Sequence, residues 1–413
     1  MRQAAAMPHR RLRWAGAGRR TSFLLGGVLA VCAGALAAAT SVLGQVGEPP
    51  RQDVSPAPAP RQPLRPTLQQ VERFKLNQDA LILDAGRPGT TYQAMANDLI
   101  AAVDAGAHMR VLPVEGDGGP ANLQDALYLR GIDMAIVPAN VLAHAKASNA
   151  FGGNLAQRLA YVTVLYSEEV HIVAGAGIAA VGDLRGKRVA VPADDGTAQF
   201  TSGDILRRFG VPVERVPMTP ADALEEVRTG SVAAAILMGG KPLGLVAALP
   251  KDGSVRLLSL PFPVLPSEAY APAVLLPEDY PALIPPGTIV ETVAVNAVLM
   301  AGRGEDAAHR VTKHTPAVLE AIARLAISER HPKWRDVNLG AALPGWPRVE
   351  AAEIWLRQAS AQRKEALQGN KEQPPRSNNR IKSSELATDR RKKLIDEFDA
   401  WARMTAARDD AVK

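Results

Sequence analysis

From Leu81 onwards, apolar runs alternate with helical patterns, and this alternation constrains the fold more than any other feature of the chain. Between the runs, apolar residues recur on one helical face, as Met95, Leu99 and Val103 do together with Ile100. Strand and helix in alternation predict an α/β fold with largely parallel sheets. The predicted strands are residues 81–83, 109–114, 132–137, 161–173, 188–191, 213–218 and 232–238.

One unit of this pattern occurs twice. Residues 126–140 and 223–240 each combine a helix end, a glycine and a strand of small apolar residues. In the second unit, Thr219 and Pro220 supply a helix N-cap and a proline at the first helical position. The repetition favours two similar α/β lobes that face each other. The alternative is that any alternation of strands and helices produces this pattern.

The composition fits two domains and argues against nucleic-acid binding. The chain has 413 residues, of which 47% are hydrophobic, so it is long enough for two domains. Its net charge of +6 comes from six arginines in residues 1–47, a segment without acids, so the remainder carries +6 − 6 = 0. Aromatic residues make up only 4%, which leaves few platforms for base stacking.

The two ends differ from the body. Residues 1–47 combine an arginine-rich start with an uncharged run at 21–47, which predicts an export signal and a periplasmic location; an uncleaved inner-membrane anchor is the alternative. Cys32, the single cysteine, lies in this run, so the body has no disulfide. The proline-rich composition of residues 48–78 predicts an extended tether. Residues 362–413 are expected to form a charged tail that is disordered over 365–389. A terminal amphipathic helix would present Leu394, Ile395, Phe398, Trp401 and Met404.

Three glycine-bearing turns follow predicted strands and precede predicted helices. They are residues 86–92 (GRPGTTY), 116–122 (GDGGPAN) and 194–197 (DDGT). Helix N-termini at the carboxyl ends of strands offer backbone N–H groups to anions. The first turn lacks the lysine of a phosphate-binding loop, so a carboxylate is the favoured ligand and plain helix capping is the alternative.

Neither a metal site nor a catalytic site is predicted. Asp194 and Asp195 have no further acidic cluster nearby in sequence, so helix capping is favoured over metal binding. Glu169 and His171 would share one face of a strand and form the only candidate acid–base pair, the basis of an alternative hypothesis of an enzyme. We therefore expect a protein that is not an enzyme and has no cofactor.

An ordered set of motifs resembles the TAXI family of solute-binding proteins, the extracytoplasmic receptors of tripartite ATP-independent periplasmic (TRAP) transporters. The set spans about residues 81–356 and comprises GxxGxTY at 86–92, VEGDGGPANLQDALYLRGIDMAIV at 114–137, LYSEEVHIV at 165–173, DLRGKRVAV at 183–191, GGKP at 239–242 and HPKWRDVNLGAALPGW at 331–346.

The resemblance implies a type II periplasmic-binding-protein fold, in which two α/β lobes are joined by strands that cross twice and a ligand binds in the cleft. Lobe 1 would comprise residues 79–174 and 262–361, and lobe 2 residues 175–261. The ligand would be a small organic anion of carboxylate or amino-acid type, and the partner would be the membrane subunits of a TRAP transporter. A membrane-tethered sensor without its own transporter is the alternative. The ligand-binding residues implied are Gly89, Thr90, Thr91, Tyr92, Gly118, Gly119, Asn122, Asn140, Glu169, Gly196, Thr197, Ala198, Gly240 and Lys241.

The sequence departs from the family pattern at positions that bear on the ligand. Thr90 stands where the family usually has glycine, and Gly119 stands where it has serine. The sequence Asp194-Asp195-Gly196-Thr197 replaces Gly-Ser-Gly-Thr, and Pro138-Ala139-Asn140 replaces Gln-Ser-Asp. Two carboxylates beside the expected anion site would weaken anion binding unless they face solvent.

Overall fold

The computed structural model describes residues 79–105, 109–260 and 269–369, together with the short segments 67–69 and 71–72. Its strands are β1 (Ala80–Ala85), β2 (Arg110–Glu115), β3 (Met134–Pro138), β4 (Leu159–Gly175), β5 (Arg188–Pro192), β6 (Glu214–Met218), β7 (Ala234–Gly239), β8 (Val255–Leu257), β9 (Ala271–Leu275) and β10 (Val290–Gly302). Its helices are α1 (Thr91–Asp104), α2 (Pro120–Tyr128), α3 (Ala139–Ser148), α4 (Leu155–Arg158), α5 (Gly196–Arg208), α6 (Pro220–Thr229), α7 (Gly244–Ala247), α8 (Glu305–Leu325) and α9 (Glu350–Gly369).

The strands form one sheet whose two halves have the same internal order. The full order is β2-β1-β3-β10-β4-β7-β5-β6, with β8 beside β4 and β9 beside β10. In the first half, β2, β1 and β3 are parallel and the antiparallel β10 follows. In the second half, β6, β5 and β7 are parallel and the antiparallel β4 follows. The two halves therefore repeat one α/β arrangement.

Two long antiparallel strands join the halves. The first part of β4 pairs with β10, and its last part pairs with β7. Similarly, β10 pairs with β9 at its start and with β3 at its end. This double crossing confirms the predicted α/β fold of the type II binding-protein kind. The residue boundaries of the two lobes remain a prediction.

Local sequence accounts for where the site helices begin. The Thr90 side chain accepts a hydrogen bond from the Gln93 N–H at the start of α1, and Thr219 caps α6 in the same way. Asp195 caps α5 through the N–H groups of Thr197 and Ala198. Each of these helices starts just after a strand ends, so the three N-termini lie at carboxyl ends of parallel strands.

The repeat noted in the sequence corresponds to equivalent positions of the two halves. Residues 126–140 contain the end of α2 and the whole of β3, and residues 223–240 contain most of α6 and the whole of β7. Both β3 and β7 lie next to the antiparallel crossing strand of their half. The two similar sequence units thus build the same layer of the sheet twice.

The structure corrects the sequence analysis in two places. Strands β8, β9 and β10 were not predicted, although β10 carries one of the two crossings. At the C-terminal end, α9 continues to Gly369, so the predicted tail boundary at residue 362 and the start of the predicted disordered segment 365–389 fall inside a helix. The cause is a run of strong helix formers up to Gly369, a residue typical of helix ends.

The predicted signal or anchor at 1–47, most of the tether at 48–78 and the terminal amphipathic helix lie outside the described residues. Within the part of the chain that is described, no helix is both long and apolar enough to span a bilayer.

Candidate functional site

Loops from the two halves of the sheet touch directly at the ends of their strands. The Gly119 N–H donates to the Thr197 hydroxyl oxygen at 2.9 Å, across 78 residues of sequence. Beside it, the Gly196 N–H donates to the Asp117 carbonyl at 2.8 Å. A third contact joins the Gly240 N–H to the Thr91 hydroxyl oxygen at 3.0 Å. The predicted loop residues therefore come together, and they bind each other.

Glycine is required where the loops meet. A Cβ atom added to Gly119 would lie 2.6 Å from the Gly196 carbonyl oxygen, and one added to Gly196 would lie 2.7 Å from the Gly118 carbonyl oxygen. Gly119 also has a φ of 54° and a ψ of −127°, a backbone conformation that favours glycine. A residue with a side chain would therefore not fit at Gly119 in this arrangement.

The N-terminus of α5, predicted as an anion cradle, already holds a carboxylate of the chain itself. Asp195 Oδ1 accepts the Thr197 N–H at 2.9 Å and the Ala198 N–H at 3.0 Å. Burial raises the pKa of Asp195 to about 6, and these two amide groups work in the opposite direction. The helix-end N–H groups therefore stabilise Asp195 and are not free for the carboxylate of a ligand.

Glu169 lies in the middle of β4 and forms a buried ion pair. Its Oε1 atom is 2.6 Å from Lys333 Nζ, and its Oε2 atom accepts the Lys241 N–H at 3.0 Å. Burial works to lower the pKa of Lys333, but the charges of Glu169 and Asp336 outweigh it and raise that pKa. Burial raises the pKa of Glu169, although Lys333 and the Lys241 N–H oppose this rise. The pair ties the crossing strand β4 to the segment Pro332–Asp336.

Several predicted site residues have internal partners. The Lys241 ammonium contacts Asp279 and the Val274 carbonyl, both at 2.8 Å, so it is neither a free surface lysine nor turned to a ligand. The Asn122 side chain accepts the Gly118 N–H and donates to the Ile136 carbonyl. The Asn140 amide donates to the hydroxyl groups of Thr201 and Tyr270. Both asparagines thus hold the loops and helices in place.

Beneath the touching loops, buried polar atoms lack hydrogen-bond partners. Within the described residues, these include the hydroxyls of Tyr92 and Tyr166 and both carboxyl oxygens of Asp84. Glu168 and Thr197 lie beside the Tyr92 hydroxyl, but none of the contacts has the geometry of a hydrogen bond. Unpaired buried polar groups are rare and costly in native proteins, so this cluster is a candidate ligand site.

The acidic groups of this region are strongly perturbed. Burial, together with the negative charge of Asp195, raises the pKa of Glu168 to about 8. Burial and the charges of Asp125 and Asp117 raise the pKa of Asp84 to about 7. Clustered carboxyl groups with raised pKa values are typical of functional sites.

A cavity of about 530 Å³ opens between the first turn of α1 and the second half of the sheet. It is bordered by Gly89, Thr90 and Thr91 on one side and by Asp194 and Asp195 on the other. Its remaining wall is largely apolar and includes Pro192, Pro220, Ala221, Leu237, Met238, Leu243 and Leu245. The volume is within the range of small-molecule sites.

The candidate acid–base pair is not assembled. The His171 ring contacts the Glu169 backbone carbonyl at 3.0 Å and the Tyr280 hydroxyl at 2.7 Å, while the Glu169 carboxylate is bound to Lys333. Burial lowers the pKa of His171 to about 3, so the ring is neutral. The two side chains therefore have separate structural partners.

Sequence reasoning missed four residues of this region: Asp84, Tyr166, Glu168 and Lys333. Lys333 belongs to the HPKW motif, yet its partner Glu169 lies 164 residues away. Tyr166 and Glu168 belong to the LYSEEV motif, in which the polar residues Tyr, Glu and Glu within an otherwise apolar predicted strand were the available signal. A charged residue inside an apolar strand indicates a buried polar site, but only the fold identifies its neighbours.

Comparison with known proteins yields weak structural similarities and one family match. A TctC solute-binding protein from Polaromonas is 12% identical, with a TM-score of 0.40, covering 70% of this chain and 98% of that one. The aliphatic sulphonate-binding protein SsuA from Escherichia coli is 18% identical, with a TM-score of 0.36 and coverages of 70% and 93%. An R. palustris protein solved with adipate is 16% identical, with a TM-score of 0.38 and coverages of 70% and 95%.

All three identities lie below 20%, so the family assignment rests on sequence. Residues 83–349, which include the loops and strands of the candidate site, match the NMT1-like family. The TAXI resemblance is finer than this match and remains a prediction. The chain belongs to the NMT1-like family.

Proposed function

We propose that this protein is an extracytoplasmic solute-binding receptor, which closes two α/β lobes over a small organic solute and delivers it to a membrane transporter. The observation that carries the proposal is the layer of direct contacts between loops of the two halves, above buried polar atoms without partners. Ligand-driven closure requires surfaces that meet only in the closed form. The contacts of Gly119 with Thr197 and of Thr91 with Gly240 are surfaces of that kind.

The lobes of this proposal are residues 79–174 with 262–361, and residues 175–261. The crossing strands β4 and β10 would form the hinge, because they are the segments through which the two halves of the sheet are connected. Opening would separate the loop contacts while the pairing of β4 with β10 stays intact. The transporter would be of the TRAP type, in line with the TAXI-like motifs.

Within the predicted ligand class of carboxylates and amino acids, the amino-acid type fits the charges best. The first turn of α1 borders the cavity and has N–H groups without intrahelical partners, which suit a carboxylate. The opposite border is acidic at Asp194 and Asp195 and suits a positive group. The polar atoms of Lys241, Gly240 and Thr197 contact other protein groups. These residues would therefore stabilise the closed form of the receptor and would not bind the solute directly.

Native mass spectrometry of the protein purified from its exported form tests the binding proposal, because a retained metabolite appears as a discrete mass increment. Small-angle scattering before and after removal of that metabolite tests closure. We expect the radius of gyration to increase on removal. A protein that retains no small molecule, and whose scattering is unchanged by every solute offered, would not be a receptor of this kind.

The extracytoplasmic location has its own test. A reporter active only in the periplasm, fused after Lys413, should be active, whereas cytoplasmic activity from that fusion would contradict export. Cleavage of the signal, as opposed to anchoring by residues 21–47, is decided by the N-terminal sequence of the protein recovered from the cell.

A further inference from the structure

Four polar side chains form one buried cluster next to the cavity: Tyr92, Tyr166, Glu168 and Asp195. The exposed fractions are 3% for Tyr92, 1% for Tyr166 and 4% for Glu168. Within the described residues, the two tyrosine hydroxyls have no hydrogen-bond partner of good geometry, and the Glu168 carboxyl lies beside the Tyr92 hydroxyl. Asp195 connects the cluster to the cavity. It borders the cavity, and its charge acts on Glu168 and on both tyrosines. The cluster is therefore a polar site with unused acceptors.

Nearby basic groups do not balance the acids of this cluster. Lys333 is bound to Glu169 and Asp336. Lys241 is bound to Asp279, and the Arg87 guanidinium is bound to Asp117. The N–H groups at the start of α5 are already bound by Asp195 Oδ1. An anionic ligand brought here would meet two carboxyl groups, and the basic side chains named above, among the described residues, are already paired.

An ammonium group has the complementary chemistry. It carries a positive charge and three N–H donors, which match carboxylate and phenolic oxygens. The rings of Tyr92 and Tyr166 lie edge to face, with centroids 6.3 Å apart, and the faces of such rings attract cations. The apolar wall of the adjoining cavity, with Leu237, Met238 and Leu243, suits a hydrocarbon body.

We propose that the buried cluster of Tyr92, Tyr166, Glu168 and Asp195 binds a primary ammonium group and selects solutes that join an amine to an apolar body. This inference rests on the proposed receptor function and adds the charge of the head group that the receptor selects. Glu168 and Asp195 supply the negative charge, and the two tyrosines supply oxygens and ring faces. Opening of the loops admits the solute.

The direct test compares probes that differ only in their head group. Hexylamine, hexanoate and hexanol share one hydrocarbon chain and carry positive, negative and no charge. Isothermal titration into the purified full chain, in an amine-free phosphate buffer, measures each affinity. We expect hexylamine to bind at least about tenfold more tightly than hexanoate or hexanol. Tighter binding of hexanoate, or no binding of hexylamine, overturns the inference.

The pH dependence gives an independent readout. Hexylamine stays protonated below about pH 10, so a change in its affinity between pH 6.5 and 8.5 reports on the protein. Ionisation of Glu168 should increase hexylamine affinity about tenfold over this range, because the pKa of Glu168 is raised to about 8. Affinity that instead falls as pH rises would mean that the protonated carboxyl is the binding form, and would overturn the inference.

Two variants assign the effect to the cluster. Glu168→Gln should lower hexylamine affinity at least about tenfold and remove most of its pH dependence. Glu278→Gln is the matched control, because this substitution removes the same charge at an exposed position outside the cluster. If Glu168→Gln does not fold, Tyr166→Phe removes a single unpaired hydroxyl and should still weaken hexylamine binding. Unchanged affinity in the folded variants overturns the inference.

Failure of this inference is distinguishable from failure of the receptor proposal. Scattering that shows compaction with hexanoate, while hexylamine has no effect, would contradict the ammonium site and leave closure over a solute intact. If no probe binds, the ammonium inference fails, and the metabolite retained in native mass spectrometry decides the receptor proposal separately.

Discussion

At the residue scale, Asp84 should make the stability of the protein depend on pH. Burial raises its pKa in the folded protein to about 7 from 3.8. The folded state therefore binds the proton more tightly than the unfolded state, and the free energy of unfolding should fall as pH rises through this window. Asp84→Asn should remove that part of the dependence.

Urea unfolding at pH 4.5 and pH 7.5 measures the Asp84 effect. We expect the Asp84→Asn variant to be more stable than the parent protein at the higher pH by roughly 1–3 kcal/mol, because the neutral amide removes the cost of holding a negative charge in a buried position. Asp104→Asn, an exposed change at the end of α1, is the control and should leave the pH profile unaltered. An Asp84→Asn profile parallel to that of the parent would contradict the assignment.

Two neighbouring threonines separate helix capping from lobe contact. Thr90 caps α1, whereas the Thr91 hydroxyl accepts the Gly240 N–H from the other half. Thr91→Val should weaken solute binding about tenfold or more, because closure would leave an amide unpaired. Thr90→Ala should cost about 1 kcal/mol of stability with affinity retained. Isothermal titration and thermal melts on both variants check this, and equal affinities would refute the contact role of Thr91.

At the element scale, the glycine contact between the loops should control closure. Gly119→Ala would place a methyl group 2.6 Å from the Gly196 carbonyl oxygen, so the two loops would have to separate. We expect at least tenfold weaker solute binding, from a lost interaction of about 1.4 kcal/mol or more, with a larger radius of gyration and an intact fold. Gly177→Ala, where a methyl group meets open space, is the matched control. Compaction by solute that survives in Gly119→Ala would show that the loops do not need this contact.

The ion pair of Lys333 and Glu169 should fasten the segment Pro332–Asp336 to strand β4. Lys333→Met would leave a carboxylate buried without its cation, which typically costs about 3–5 kcal/mol. The double variant Lys333→Met, Glu169→Gln should recover much of that loss, because the unpaired charge is gone. Urea unfolding of the single and double variants measures the recovery. A double variant no more stable than Lys333→Met would exclude this explanation.

A strand or helix could be predicted from the sequence when the residues that indicate it lie within the element or in the adjoining turns. Strands β1 to β7 were predicted within a few residues, because each is a largely apolar run bounded by turn residues. Strand β10 was missed, since no helical pattern leads into it and its partners β3 and β4 lie far away in sequence. Turn chemistry predicted the three helix starts, and the expectation that the aspartates before Gly196 cap a helix is confirmed at Asp195.

The site was less predictable than the fold for a related reason. The motif resemblance implied Thr91, Thr197 and Gly119 as site residues, but it did not show that Gly119 contacts Thr197, 78 residues away, or that Thr91 contacts Gly240, 149 residues away. No periodicity indicates such a pairing, so the hydroxyls were expected to face a ligand. The same limit hid Lys333 and the unpaired Tyr166 hydroxyl, whose roles depend on burial in the assembled sheet.

At the scale of the whole molecule, the internal repeat explains why the candidate site lies between the two halves of the sheet. Each half ends its parallel strands in loops and helix N-termini, and the crossing strands turn these ends towards each other. A hinge through β4 and β10 would then move the loops of both halves together. Glu168, a member of the acidic cluster, lies on β4, the strand of the proposed hinge. A charge bound at the cluster would therefore act on the strand through which the lobes connect.

The last prediction concerns the end of the folded body. Helix α9 runs to Gly369, and Val349, Ala351 and Ala352 at its start are buried against the first half of the sheet. Truncation after Gly369 should therefore leave the melting temperature and solute affinity unchanged. Truncation after Arg348 removes buried apolar surface and the Arg348 partner Glu353, so it should lower the melting temperature markedly. If the protein truncated after Gly369 also loses stability or affinity, the segment beyond residue 369 is part of the folded body, and the boundary lies further along the chain.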